Sequence, residues 1–179
     1  MRNRCILHSD ANCFYASVEM LLNPELRGKA VAVCGSTEER HGIVLAKSEL
    51  AKKAGVKTGQ ANWEARQACP GLIVVPPHYD QYCKFSRLLR NIYLRYTNLV
   101  EPYGMDECWL DVTGSARIKG SGEQIAEEIR QTVKDELGIT VSSSWASCTK
   151  THRTCCSIPK RNSGRTDRKS LWRLCLRNC

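Results

Sequence analysis

Three acidic residues carry the chemistry that this sequence could perform: Asp10, and the adjacent pair Asp106 and Glu107. Carboxylate oxygens suit a hard divalent cation such as Mg²⁺, which takes a few protein oxygens and completes its shell with substrate phosphates. Two such ions about 3.5–4 Å apart would activate a hydroxyl nucleophile and offset charge on a departing phosphate. Phosphoryl transfer asks mainly for positioning and electrostatic stabilisation. An isolated Asp-Glu pair beside a glycine is also an ordinary solvated turn. The chemistry therefore depends on whether the chain brings Asp10 beside residues almost a hundred positions away.

The elements that would do so are readable from hydrophobic spacing. Arg4 to His8 reads as a short buried strand that leaves Asp10 just past its end, and Phe14 to Leu22 has helical spacing stopped by Asn23-Pro24. Val31–Cys34 and Ile43–Leu45 read as strands, Ser48–Ala54 and Asn62–Cys69 as short helices, and Leu72–Val75 as a strand closed by two prolines. A long helix is predicted from an Asp80 N-cap to Tyr96, with Tyr82, Phe85, Leu89, Ile92 and Tyr96 on one face. Leu99–Tyr103 and Cys108–Val112 read as two strands joined through Gly104-Met105-Asp106-Glu107. A second long helix follows a Ser121-x-x-Gln124 capping box, with Ile125, Ile129, Val133 and Leu137 on its stripe and Gly138 beyond, and Ile139–Val141 begins another strand.

With residues 11–77 set aside as an insertion, the order is strand, helix, strand, strand, helix, strand: the ferredoxin-like βαββαβ plan of the α+β (mixed α/β) class. Its first and third strands are antiparallel central neighbours. The end of the first, at Asp10, then lies beside the start of the third, at Asp106 and Glu107.

The net charge of +9 invites a nucleic-acid reading, but its location matters. Residues 1–142 hold 18 Lys/Arg against 17 Asp/Glu, whereas 143–179 hold 9 against 1. The basic character belongs to the tail, which alternates Ser, Thr, Cys, Arg and Lys without a helical or strand period, and reads as disordered or as the product of a reading-frame change. Five of the 11 cysteines fall in that tail. The other six are scattered singly and read as small buried hydrophobes of a reducing compartment. A tail zinc site from Cys148, His152, Cys155, Cys156, Cys175 and Cys179 has suitable ligand types but no Cys-x-x-Cys pair. No apolar run is long enough for a signal sequence or a membrane span, so the expected location is the cytoplasm. His8 reads as a strand residue, and His41 and His78 as loop residues.

The segments His8-Ser-Asp-Ala-Asn-Cys-Phe-Tyr-Ala-Ser-Val-Glu19 and Tyr103-Gly-Met-Asp-Glu-Cys-Trp-Leu-Asp111 resemble the two carboxylate motifs of Y-family, DNA polymerase IV-like translesion polymerases. Between them, the stretch from Gly42 to Gly59 resembles the fingers segment that covers the nascent base pair. The resemblance covers residues 4–142 and implies a palm (1–10 and 78–142) with a fingers insertion (11–77). It implies that Asp10, Asp106 and Glu107, with the backbone carbonyl of Ala11, hold two Mg²⁺ ions, for which Mn²⁺ is a substitute. It further implies that Tyr15 is the steric gate against a 2′-hydroxyl, that Phe14 lies with it at the nucleotide site, and that Lys52 contacts the triphosphate. The implied partners are primer-template DNA and deoxyribonucleoside triphosphates.

The sequence departs from the family at Glu49, where relatives commonly place a phosphate-contacting Tyr. It departs again after Val141: the thumb, the little finger and the clamp-binding peptide of full-length relatives are not recognisable, and with them goes most of the phosphate grip on duplex DNA. The expectation is a metal site in outline with weak or no polymerisation. Two rival readings are a non-catalytic fragment that binds DNA weakly through its basic tail, and a nucleotide cyclase-like enzyme on the same palm plan. Tyr15 and the fingers-like insertion weigh against the second.

Overall fold

The computed structural model of the chain describes residues 4–35 and 42–148. The expected positions 36–41, with His41, and the tail beyond residue 148, with its candidate zinc ligands, lie outside the described residues.

Two sheets organise the chain. The first has four strands, β1 (Arg4–Ala11), β5 (Val100–Tyr103), β6 (Glu107–Asp111) and β7 (Val141–Cys148), in the order β5-β6-β1-β7. Each neighbouring pair is antiparallel, which is the ferredoxin-like arrangement. The second sheet, β3-β2-β4, comes from the inserted segment: β2 (Val31–Cys34) pairs antiparallel with β3 (Val44–Lys47) and parallel with β4 (Ile73–Val75).

Strand alternation places Leu7, Ser9 and Ala11 of β1 and Cys108 and Leu110 of β6 on one face, where all five are buried. The helices α1 (Phe14–Leu22), α4 (Tyr79–Tyr93) and α6 (Gly122–Leu137) supply the rest of that core through Phe14, Val18, Tyr82, Leu89, Ile92, Ile125, Ile129 and Val133. Each such side chain, fully buried, contributes about 1.5–3 kcal/mol of transfer free energy. A smaller second core of Ala32, Cys34, Val44, Ala51, Val56, Ala65, Cys69 and Leu72 holds the insertion, with α2 (Glu49–Lys53) and α3 (Asn62–Ala68). A short helix α5 (Ala116–Lys119) precedes α6.

Local signals set the ends of several elements. The α6 capping box forms in both directions between Ser121 and Gln124, and Gly138 closes the helix at φ 69°, where a Cβ would be strained. Helix α2 begins at a Ser48 cap whose hydroxyl accepts from the Ala51 N–H.

Three expectations are corrected. Asp10 lies within β1, because pairing with β6 and β7 continues to the strand end. Helix α4 is capped at His78 and starts at Tyr79; Asp80 sits in its first turn, where an acidic side chain complements the helix dipole. Ordered structure does not stop at residue 142. Strand β7 runs to Cys148 and pairs with the whole of β1, from Ala11↔Val141 to Arg4↔Cys148. Its Ser-rich sequence lacks alternation, yet ladder hydrogen bonds use only backbone groups and β1 offers an open edge to complete.

Candidate active site

The register of β1 against β6 sets Asp10 directly opposite Glu107. Directly opposed residues of an antiparallel pair have Cβ atoms about 4.5–5.5 Å apart, so the two carboxylates share one face. The ladder extends one residue further, because the Ala11 N–H donates to the Asp106 carbonyl at 3.0 Å. Asp10, Ala11, Asp106 and Glu107 thus meet at one end of the sheet, and the face that bears Asp10 and Glu107 is opposite to the helices.

That convergence has an electrostatic signature. The Asp10 carboxyl is pushed up to about 6, first by burial, then by the charges of Glu107 and Asp106, with His8 opposing. Asp106 is also raised, chiefly by burial. Carboxylates gathered at one partly desolvated sheet end make a hard, oxygen-only donor set of negative charge, which suits a divalent cation in ligand type and in charge. Among the described residues, no group of three or more His, Cys, Asp or Glu side chains is arranged to hold an ion as it stands. One oxygen of Glu107, Oε2, lies 3.0 Å from His8 Nε2.

Tyr15 follows the same strand end on the first turn of α1. Its ring stacks on Tyr82, with centroids 4.3 Å apart and planes 13° from parallel, and meets the edge of Tyr79 at 6.2 Å. Its hydroxyl donates to Met105 Sδ at 3.7 Å, and burial followed by Asp106 raises its pKa. Tyr15 therefore stands next to the carboxylates. Phe14 is buried in the main core at 3% exposure, its ring centroid 5.8 Å from that of Tyr15. What Phe14 can present to a ligand is its backbone N–H, one of the first-turn donors that lack an intrahelical acceptor.

Lys52 is on α2, across from the turn between β1 and α1. Its Nζ is 3.4 Å from Glu49 Oε1, and the same oxygen accepts from the Cys13 thiol at 3.3 Å. That hydrogen bond, then Lys52 and Lys53, hold the Glu49 carboxyl below its ordinary value, and burial with Glu49 pushes the Cys13 thiol up to about 11. Cys13 itself takes a left-handed backbone, φ 50°, as the N-cap of α1. Helix α2 and the β1–α1 turn are thus joined through Glu49.

Residues 9–151 match the model of the IMS: impB/mucB/samB family, a span that includes all of the carboxylates and passes residue 142. The chain belongs to the impB/mucB/samB family. This impB/mucB/samB chain is 60% identical over 139 residues to a DNA polymerase IV of Acetivibrio thermocellus, a match covering 78% of this chain and 35% of the relative. It is 46% identical over 138 residues to a DNA polymerase IV of Moorella thermoacetica, covering 76% and 34%. Among solved structures it is similar to the DinB protein of Sulfolobus solfataricus, with 31% identity and a TM-score of 0.73 over 79% of this chain and 42% of that one. An insertion ternary complex of Dbh DNA polymerase matches equally well, at 32% identity and a TM-score of 0.73 over the same shares. The chain spans about a third of the length of these curated relatives and about two fifths of the solved chains.

The impB/mucB/samB fold also places residues at the site that spacing did not single out. Arg90 on α4 donates through Nη2 to the Gly104 carbonyl at 3.0 Å and to Ser86 Oγ at 3.1 Å, which ties the turn preceding Asp106 to the helix below. Behind Asp10, the buried Ser9 hydroxyl and Tyr93 hydroxyl are 2.9 Å apart. Glu19, buried at 4% exposure, is hydrogen-bonded by the Tyr82 hydroxyl and lies 3.0 Å from His78 Nδ1. A Glu in the middle of a largely apolar helix was the available sequence signal. Its partners lie 59 and 63 residues away, beyond the reach of local periodicity.

Proposed function

We propose that this chain forms the palm and fingers of a translesion DNA-directed DNA polymerase, residues 1–10 and 78–148 making the palm and 11–77 the fingers. The observation that carries the reading is the register pairing Asp10 with Glu107, with Ala11 bonded to Asp106, in a chain so similar to DNA polymerase IV. Asp10, Asp106, Glu107 and the Ala11 carbonyl would hold two Mg²⁺ ions, or Mn²⁺ in their place. When bound, such ions supply Lewis acidity to a primer 3′-hydroxyl and offset charge on the leaving pyrophosphate.

The chain's own residues do the rest. Tyr15, backed by Tyr82 and edged by Tyr79, presents a rigid ring that would meet the sugar of an incoming nucleotide and clash with a 2′-hydroxyl. Lys52 offers a compact charge to the triphosphate, and the free first-turn N–H groups of α1, at Phe14 and Tyr15, add donors and the positive end of a helix dipole. Arg90 holds the turn that carries Asp106. The substrates are then deoxyribonucleoside triphosphates and primer-template DNA. Residues 1–142 carry nearly balanced charge, so the grip on duplex DNA is weak and extension by this chain is slow and distributive.

The test is Mn²⁺ titration of the purified chain with a deoxyribonucleoside triphosphate, followed by single-nucleotide insertion on a primed template. Cation-dependent nucleotide binding that Asp10→Ala abolishes is expected. Nucleotide binding that is indifferent to Asp10→Ala and to Glu107→Gln would reject the reading, and processive extension would reject the weak-grip part of it.

A further inference from the structure

We propose that His8 is the positioning residue for Glu107: its imidazole fixes the carboxylate that faces Asp10 and thereby sets the affinity of the site for divalent cations. The inference rests on the reading of Asp10, Asp106 and Glu107 as cation ligands.

The geometry is built into the sheet. His8 and Asp10 are two residues apart on β1 and so share the face opposite to the helices. Their register partners on β6 are Trp109 and Glu107. His8 therefore lies beside Trp109 and diagonal to Glu107, one pleat back from the sheet end. Both relations are realised: the His8 and Trp109 ring centroids are 4.1 Å apart, 31° from parallel, and His8 Nε2 is 3.0 Å from Glu107 Oε2. Both side chains are partly buried, at 14% and 26% exposure.

An ionised carboxylate only accepts, so the proton of this bond belongs to His8 Nε2. Trp109 packs on the ring and restricts its rotation, and the N–H restricts Glu107, a side chain with three rotatable bonds. The bond engages one of the two carboxylate oxygens. A glutamate left free would have to be ordered when a cation arrives, and that cost is removed in advance by a supporting hydrogen bond. Supporting partners of this kind commonly change metal affinity by ten- to a hundredfold when removed. The mechanism is orientation, so the conservative replacement is one that keeps an N–H at the Nε2 position.

Mn²⁺ binding to the purified chain is measured by electron paramagnetic resonance, for wild type, Asp10→Ala, His8→Phe and His8→Gln, with folding followed by circular dichroism. His8→Phe keeps a ring against Trp109 and removes the N–H; the expected result is Mn²⁺ affinity lower by about tenfold or more. His8→Gln, which restores an amide donor, is expected to recover most of it. If His8→Phe does not fold, His8→Leu serves in the same comparison against His8→Gln. Unchanged or tighter Mn²⁺ binding in a folded His8→Phe overturns the proposal, and so does an equal loss in His8→Gln. A wild-type chain that binds Mn²⁺ no better than Asp10→Ala instead brings down the reading of the carboxylates, and the role of His8 with it.

Discussion

The ring of Tyr15 lies flat on the ring of Tyr82, 4.3 Å away. Tyr82 is fully buried, and its hydroxyl is taken by Glu19, so the surface behind Tyr15 is itself anchored. Tyr82 sits on α4, in the segment that resembles the palm, while Glu19 is on α1 and His78 caps α4 where the insertion ends. The stack thus joins the Tyr15 ring to α4 and, through Glu19, back to α1.

Removing only the Tyr82 hydroxyl, in Tyr82→Phe, retains the stack but leaves the buried Glu19 carboxylate with one partner fewer. A loss of about 1–2 kcal/mol in denaturant unfolding is expected. Tyr82→Leu, which removes the stack, is expected in addition to weaken the preference for deoxyribonucleotides over ribonucleotides, measured by competitive nucleotide binding. A Tyr82→Phe variant as stable as wild type would show that Glu19 does not need the bond.

Glu49 places a negative charge 3.4 Å from Lys52 Nζ, where a triphosphate would arrive. Both side chains are largely exposed, so the pair itself contributes little to stability. Its effect is expected on the ligand: Glu49→Gln should tighten triphosphate binding by about two- to fivefold, most clearly at low salt, with the melting temperature nearly unchanged. Fluorescence titration with a labelled deoxyribonucleoside triphosphate measures it, and weaker binding would contradict it.

The Asp10 carboxyl, raised to about 6, makes stability depend on pH. A carboxyl whose folded pKa exceeds its unfolded value of about 4 binds protons more readily in the folded chain. Its favourable contribution is complete below about pH 4 and is lost as pH rises through about 6. Without cations, Asp10 therefore favours a higher melting temperature at about pH 5 than at about pH 7.5. Asp10→Asn should reduce that difference and raise the melting temperature at the higher pH. Calorimetry in the presence of a chelator measures both, and a melting temperature of Asp10→Asn below that of wild type at about pH 7.5 would oppose the assignment.

Strand β7 completes β1 over pairings that run from Ala11↔Val141 to Arg4↔Cys148. Ending the chain at residue 142 removes the pairings from Ser9↔Ser143 to Arg4↔Cys148 and turns most of β1 into an edge strand. With cross-strand pairs contributing about 0.2–1 kcal/mol each, the cost is on the order of 1–6 kcal/mol. A chain ending at residue 148 should keep the stability of the full chain. Equal melting of the two truncated chains would mean that the pairing is dispensable.

Much of the framework was legible before folding. Helix α1 runs from Phe14 to Leu22, as the apolar spacing and Asn23-Pro24 required, and the capping box of α6 forms between the residues that signal it. The order of elements by itself placed Asp10 opposite the Asp106-Glu107 corner, because the ferredoxin-like plan leaves the first and third strands no other neighbour relation. The extent of β7 was not legible, since a Ser-rich run carries no burial pattern and is held by the backbone edge that β1 presents.

The sequence by itself determined the elements, the fold class and the identity of the acidic corner, because periodicity, caps and turn residues act within a few positions along the chain. Only the tertiary structure decided which polar side chains meet: His8 with Glu107, Tyr82 and His78 with Glu19, and Cys13 with Glu49. Those contacts join residues 36 to 99 positions apart, and they exist because strand register, helix docking and the seating of the insertion bring each pair within hydrogen-bond reach.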